Sequence, residues 1–149
     1  MQNDYDVRML QASDVYRAYA LAQHLFPDVD IEMWKAALST EALRHNWLTV
    51  IDASGVIRGL CFVFARETPS ARRQLEVPMF ASVSLMDEKD VTRRLLEITR
   101  RRAVELHCQS IHLWSAGAED WAVVTDPLQV PISERGLVFQ LDGDRPALH

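Results

Sequence analysis

Between residues 95 and 113 the chain reads Leu95-Leu96-Glu97-Ile98-Thr99-Arg100-Arg101-Arg102-Ala103, passes through His107-Cys108, and enters Ser110-Ile111-His112-Leu113. Two periods meet there. Val91, Leu95, Ile98, Thr99, Arg102 and Leu106 recur at helical spacing as one stripe, widened by Leu96 and Ala103. From Ser110 to residue 115 the pattern becomes a short apolar run, broken by His112, that reads as a strand. Asp87, with Asp90 three residues on, marks the helix start, and His107 lies where the helix dipole favours a cation. Arg93 and Arg100 fall on the solvent side. Arg102 falls within the stripe, so it should lie along a sheet or pair with a carboxylate.

Upstream of this helix, residues 75–86 form an extended segment in which Pro78 marks a bulge or an unpaired edge position. Trp47–Asp52 and residues 56–67 read as strands joined by the hairpin loop Ala53-Ser54-Gly55. Residues 7–10 form a short first strand. Ser13 is the expected N-cap of a helix carrying Val15, Tyr16, Tyr19, Ala20, Leu25 and Phe26, which Pro27 stops. Asp30 caps a second helix through Ile31, Trp34, Ala37 and Leu38, with an interruption at Ser39-Thr40-Glu41. Downstream, residues 118–124 suggest a short helix and 136–141 a last strand. The order is β-α-α-β-β-β-α-β-α-β without an internal repeat. It predicts an α+β (mixed α/β) fold, a mostly antiparallel sheet flanked by helices. One domain is expected over residues 1–142, followed by a disordered tail at 143–149.

Composition narrows the function classes. The chain has 149 residues, is 48% hydrophobic and carries a net charge of -5, so neither disorder nor broad nucleic-acid binding is expected. No run approaches the 18 or so apolar residues of a membrane span. The first ten residues lack the basic flank and apolar core of a signal peptide. Cys61 and Cys108 read as buried thiols in a reducing cytoplasm. His107, Cys108 and His112 have no evident fourth ligand, so no metal is expected. Glycine is scarce: Gly55, Gly59, Gly117, Gly136 and Gly143 are all there are. The gap from Gly59 to Gly117 excludes a Walker loop, a dinucleotide fingerprint and a nucleophile elbow there.

The element order, together with the Leu95-Leu96 helix running into Ser110-Ile111-His112-Leu113 and the hairpin leading to Ile57-Arg58-Gly59, resembles the GNAT superfamily of N-acetyltransferases over residues 7–141. The resemblance implies an N-acyltransferase that moves an acyl group from acetyl-CoA or another acyl-CoA to an amine of a small molecule or peptide. It also implies a Q/R-x-x-G-x-G/A loop ahead of the long helix, whose amides take the pyrophosphate. Aligned through the Leu-Leu pair, that loop falls on Asp87, Glu88, Lys89, Asp90, Val91 and Thr92, with three carboxylates and no glycine. For the phosphates this leaves the amides of Val91, Thr92 and Arg93, and the side chains of Arg93 or Arg94. The strand ending at Leu85 would hold the pantetheine through its backbone.

Many members of that family protonate the leaving thiolate with a tyrosine of the last helix. Here Tyr5, Tyr16 and Tyr19 are the only tyrosines, which leaves Ser115, Ser133 or water. Glu76 is the best-placed carboxylate for a general base; the alternative is a solvated edge residue. Asp28, Asp30 and Glu32 lie in the inter-helix segment that borders the acceptor in this family and would suit a cationic amine. Two functions remain open: the acyltransferase with a divergent loop, or a non-catalytic binding or regulatory module on the same scaffold, with a homodimer as one form of it.

Overall fold

The computed structural model describes residues 4–70, 72–83, 87–115, 121–132 and 135–141. Six strands lie side by side in chain order: β1 (Tyr5–Met9), β2 (Trp47–Asp52), β3 (Ile57–Glu67), β4 (Arg73–Ser82), β5 (Ser110–Leu113) and β6 (Leu137–Gln140). Every neighbouring pair is antiparallel except β4–β5. A parallel pair needs a crossover, and α4 (Glu88–Glu105) supplies it. Helices α1 (Val15–Leu25), α2 (Ile31–Ala37) and α3 (Glu41–Arg44) join β1 to β2, and α5 (Ala122–Thr125) lies between β5 and β6.

Both faces of the sheet are covered, which is why β2 and β3 read as nearly continuous apolar runs. Leu48, Val50, Cys61, Val63, Leu75, Val77 and Ile111 pack beneath Val91, Leu95 and Ala103 of α4. On the other face Trp47, Leu60, Phe62 and Phe64 meet Ala18, Ala22, Phe26 and Trp34 of the first helices. Trp34 stands edge-on to Trp47 with ring centroids 4.9 Å apart. Gly59 lets α4 settle on the sheet, since a Cβ there would lie 3.2 Å from Val91 Cγ1.

Several local expectations are met and others corrected. Asp30 caps α2 by accepting the Met33 N–H at 2.9 Å, and Thr40 caps the separate α3 through the Leu43 N–H at 3.1 Å. Ser13 caps nothing. It lies in a 3-10 turn, Ala12–Asp14, where the fully buried Asp14 carboxylate takes the Gln11 N–H and both oxygens accept from Arg8. Tyr16, expected in the helix's apolar stripe, is exposed, with Lys35 over its ring. Arg102 is buried as its place in the stripe requires; it donates to the His45 carbonyl and faces Glu105. At the end of α4, Cys108 N–H bonds to Ala103 O and His107 N–H to Val104 O, with His107 in the left-handed region at φ 60°. That is a Schellman end with histidine where glycine is usual. The readings on Leu85, Ser133 and the tail lie outside the described residues.

Candidate active site

Strand β4 parts company with β5 halfway along its length. Residues 74–77 pair with 110–113, and the Trp114 N–H gives the last bond, to Val77 O at 3.1 Å. Beyond the bulge, residues 79–82 of β4 have no strand partner on that side among the described residues while still paired to β3 on the other. The cause is local. Between Phe62↔Met79 and Phe64↔Glu76, β4 carries one residue more than β3, a bulge at Val77-Pro78. A bulge bends its strand, and Pro78 has no N–H to offer a neighbour. Both features read from Pro78 in the sequence are therefore present, and the result is a fork whose inner edge is β4 backbone.

Glu76 lies at the base of this fork. Leu75 and Val77 point to α4, so Glu76 projects to the opposite face. It is 1% exposed, which overturns the solvated-edge alternative. Its Oε1 accepts the Trp114 indole N–H at 2.9 Å and lies 2.8 Å from His112 Nδ1; its Oε2 accepts from Gln74 Nε2 at 2.7 Å. Ser110 Oγ donates to Gln74 Oε1 at 3.0 Å, and His112 Nε2 lies 2.9 Å from the Arg135 carbonyl. Gly136 makes this last contact feasible. Its φ is 125°, and a Cβ there would lie 1.9 Å from Leu113 O, so only glycine can bring Arg135 onto β5. A groove of about 640 Å³ between α4 and β6, lined by Leu96, Arg100, Ile111, Val138 and Phe139, is on the other face of the sheet and does not reach Glu76.

The start of α4 is a second polar cluster, built from surface charges: Arg93 and Glu97 are exposed, Asp87, Asp90 and Arg94 half-buried. Asp90 pairs with Arg94 Nε at 3.0 Å and also with Arg93, which reaches Glu97 at 3.4 Å. The Arg94 bond, reinforced by Arg93, holds the Asp90 carboxyl below the usual carboxylate range. Asp87 makes no side-chain cap; it accepts the Tyr5 hydroxyl at 2.8 Å. Burial and that carboxylate push the Tyr5 hydroxyl above its ordinary value, and the Arg94 guanidinium lies over the Tyr5 ring. Val91 is fully buried and its N–H bonds to Asp87 O. Thr92 Oγ1 lies 2.7 Å from Ser82 Oγ. The first-turn amides, which an α-helix leaves without an internal acceptor, are those of Glu88, Lys89 and Asp90, three residues before the amides read from the sequence. Of Asp28, Asp30 and Glu32, Asp30 is the cap of α2, and Glu32 lies within that helix, not between the helices, facing Lys35.

No protein-family model matches this sequence. A search of curated proteins also finds no match. Solved structures do match. A GNAT family acetyltransferase from Staphylococcus aureus superposes with a TM-score of 0.59 at 17% identity, over 92% of this chain and 98% of that one. Glucosamine-6-phosphate N-acetyltransferase from Arabidopsis thaliana gives 0.59 at 12% identity, over 88% and 97%. An aminoglycoside N-acetyltransferase in complex with CoA gives 0.58 at 14% identity, over 94% and 96%. The chain has the GNAT fold. Within it, the forked β4–β5 pair and the N-terminus of α4 are the two ends of one connection, and only the first carries a buried polar network.

Sequence reasoning reached Glu76 but missed its partners. His112 reads as a buried or interface side chain rather than a metal ligand, and nothing in the sequence ties Trp114 to Glu76. A usable signal was present: Gln74-Leu75-Glu76 and Ser110-Ile111-His112 share the alternation polar, apolar, polar. Strands on either side of a crossover helix pair in parallel, which sets those residues face to face. Among the described residues no helix is long and apolar enough to cross a membrane.

Proposed function

We propose that this chain is an acyl-CoA-dependent N-acyltransferase in which the donor is held chiefly by its pantetheine arm. The fork carries the reading: residues 79–82 of β4 offer backbone to an extended ligand at a bulge beside a buried carboxylate. An amide-bearing chain laid there adds hydrogen bonds as an extra strand would. The acceptor is an amine of a small molecule or peptide. Its nitrogen attacks the thioester carbonyl, the C–S bond breaks, and Glu76 is the group toward which the surplus proton moves. Phosphates contribute little, because Arg93 and Arg94 are engaged by Asp90 and the first turn of α4 carries Glu88 and Asp90. A role for Leu85 in holding pantetheine, and for the Arg93 and Arg94 side chains in what phosphate contact there is, belongs to the same proposal; the Val91 amide is bonded to Asp87 O, and those of Thr92 and Arg93 lie within the helix.

The occupied start of α4 favours a second reading, a binding module that no longer takes acyl-CoA. Thermal unfolding with acetyl-CoA separates the two. A donor at 100 times its Kd should add about 2.7 kcal/mol of stability. An unchanged midpoint at millimolar acetyl-CoA would leave the module as the better account.

A further inference from the structure

The buried cluster at the fork has a property that follows from hydrogen-bond counting alone. The partner of His112 Nε2 is the Arg135 carbonyl, which only accepts, so Nε2 carries a hydrogen. The partner of Nδ1 is a carboxylate oxygen at 2.8 Å, and a bare ring nitrogen would repel a bare carboxylate at that distance. One proton therefore lies between Nδ1 and Oε1. Two other donors, the Trp114 indole and the Gln74 amide, end on the same carboxylate. Glu76 and His112 are both buried, and Trp114 and Gln74 are the partly exposed members of the cluster.

Among the described residues, no tyrosine is available at the fork to protonate a leaving thiolate. The Tyr5 hydroxyl is spent on Asp87, Tyr19 donates to Val29 O, and Tyr16 is exposed on α1. Among the described residues the charged neighbour on the face of the pair is Arg66 of β3, which stands opposite Gln74 with its Nη1 buried. Phe64 faces Glu76 from β3, Ser110 and Trp114 flank His112 on β5, and Arg135 offers its carbonyl. Arg73 and Cys108 stand at the strand starts, where burial keeps Cys108 a thiol.

We propose that Glu76 and His112 act as a one-proton pair: Glu76 exchanges the proton with the reacting atoms, and His112 is the positioning residue that stores it. This rests on the acyl-transfer reading above. The amine nitrogen forms its bond to the carbonyl carbon, and the carbon–sulfur bond breaks. The departing thiolate takes the pair's proton to become a thiol. The nitrogen, now carrying one hydrogen too many, returns one to the pair. Amine and thioester become amide and thiol, and the pair ends as it began.

The test compares leaving groups. His112→Asn keeps an N–H for Glu76 but cannot store a proton. Thiol release to hydroxylamine, a nucleophile that needs no dedicated acceptor pocket, is measured with acetyl-CoA and with S-(4-nitrophenyl) thioacetate, whose thiolate leaves without protonation. With acetyl-CoA the variant should lose about 100-fold in kcat with KM little changed, and with the aryl thioester it should stay within about threefold of the parent. Equal losses on both thioesters, or none on either, would overturn the proposal. Nitrogen-15 NMR of His112 in the unmodified protein needs no donor. It should show a hydrogen on Nε2 and a strongly deshielded proton bound to Nδ1; a ring lacking either contradicts the pair. If that proton is seen but the parent releases no thiol from either thioester, acyl transfer itself fails, and the pair is only a latch between β5 and Arg135.

Discussion

At the fork the polar groups are buried or half-buried, and the donors that end on Glu76 are set there by strand register. At the start of α4 the charges are largely exposed and neutralise one another along one helix face. The fork resembles a core that happens to be polar. Removing one member leaves others without partners, and an unpaired buried group costs more than its bond contributed. The helix start resembles a surface, where water replaces a lost partner and screening mutes each pair. Stability should therefore be sensitive to the fork, and ligand discrimination to the helix start.

The largest expected effect is that of Glu76→Ala. It strands His112, Trp114 and Gln74 and should cost about 3–5 kcal/mol in urea unfolding. A loss below about 1 kcal/mol would erase the contrast with the helix start. Gly136→Ala comes next: it removes no polar group, but the strain and the clash with Leu113 O should cost about 2–3 kcal/mol. A loss of the Nδ1-bound proton signal in the same variant would tie that cost to the Arg135 contact.

At the helix start, Asp90→Asn releases Arg94 and leaves Arg93 to its Glu97 contact. It should tighten CoA binding about fivefold by calorimetry while barely moving the urea midpoint. An unchanged Kd would mean that this carboxylate does not govern the donor. The sign of its pH effect follows from its depressed pKa: the pairing supports the fold at neutral pH and is lost as pH falls below about 4. Asp90→Asn should flatten that part of the melting profile. The smallest effect is that of His107→Gly at the far end of α4, where relief of the left-handed φ should raise stability by about 0.5–1 kcal/mol, or Tm by a few degrees.

The same contrast explains what could be read from the chain beforehand. Local periods gave the strands, the helices and their order. Pro78 marked the bulge because a residue without an N–H is confined to few places in a sheet. Asp90 with Arg93 and Arg94 is a pattern of three- and four-residue spacing, readable on any helix. Tyr5 with Asp87 joins positions 82 residues apart, and Glu76 with His112 positions 36 apart, so neither shows in a local pattern. Glu76 looked like an edge carboxylate because its covering partners come from β5 and from the turn before β6. Asp14 rather than Ser13 stands at the start of α1, and its carboxylate turns back to Arg8 and the Gln11 N–H instead of capping the helix.

The most direct measurement follows amide and indole shifts of the protein as acetyl-CoA and S-acetylpantetheine are titrated in turn. If the donor is held by its pantetheine arm, both ligands perturb residues 79–82 and the Trp114 indole, and removing the nucleotide costs little affinity. If neither ligand at millimolar concentration moves those signals, the fork is not a donor site and the acyltransferase account is wrong.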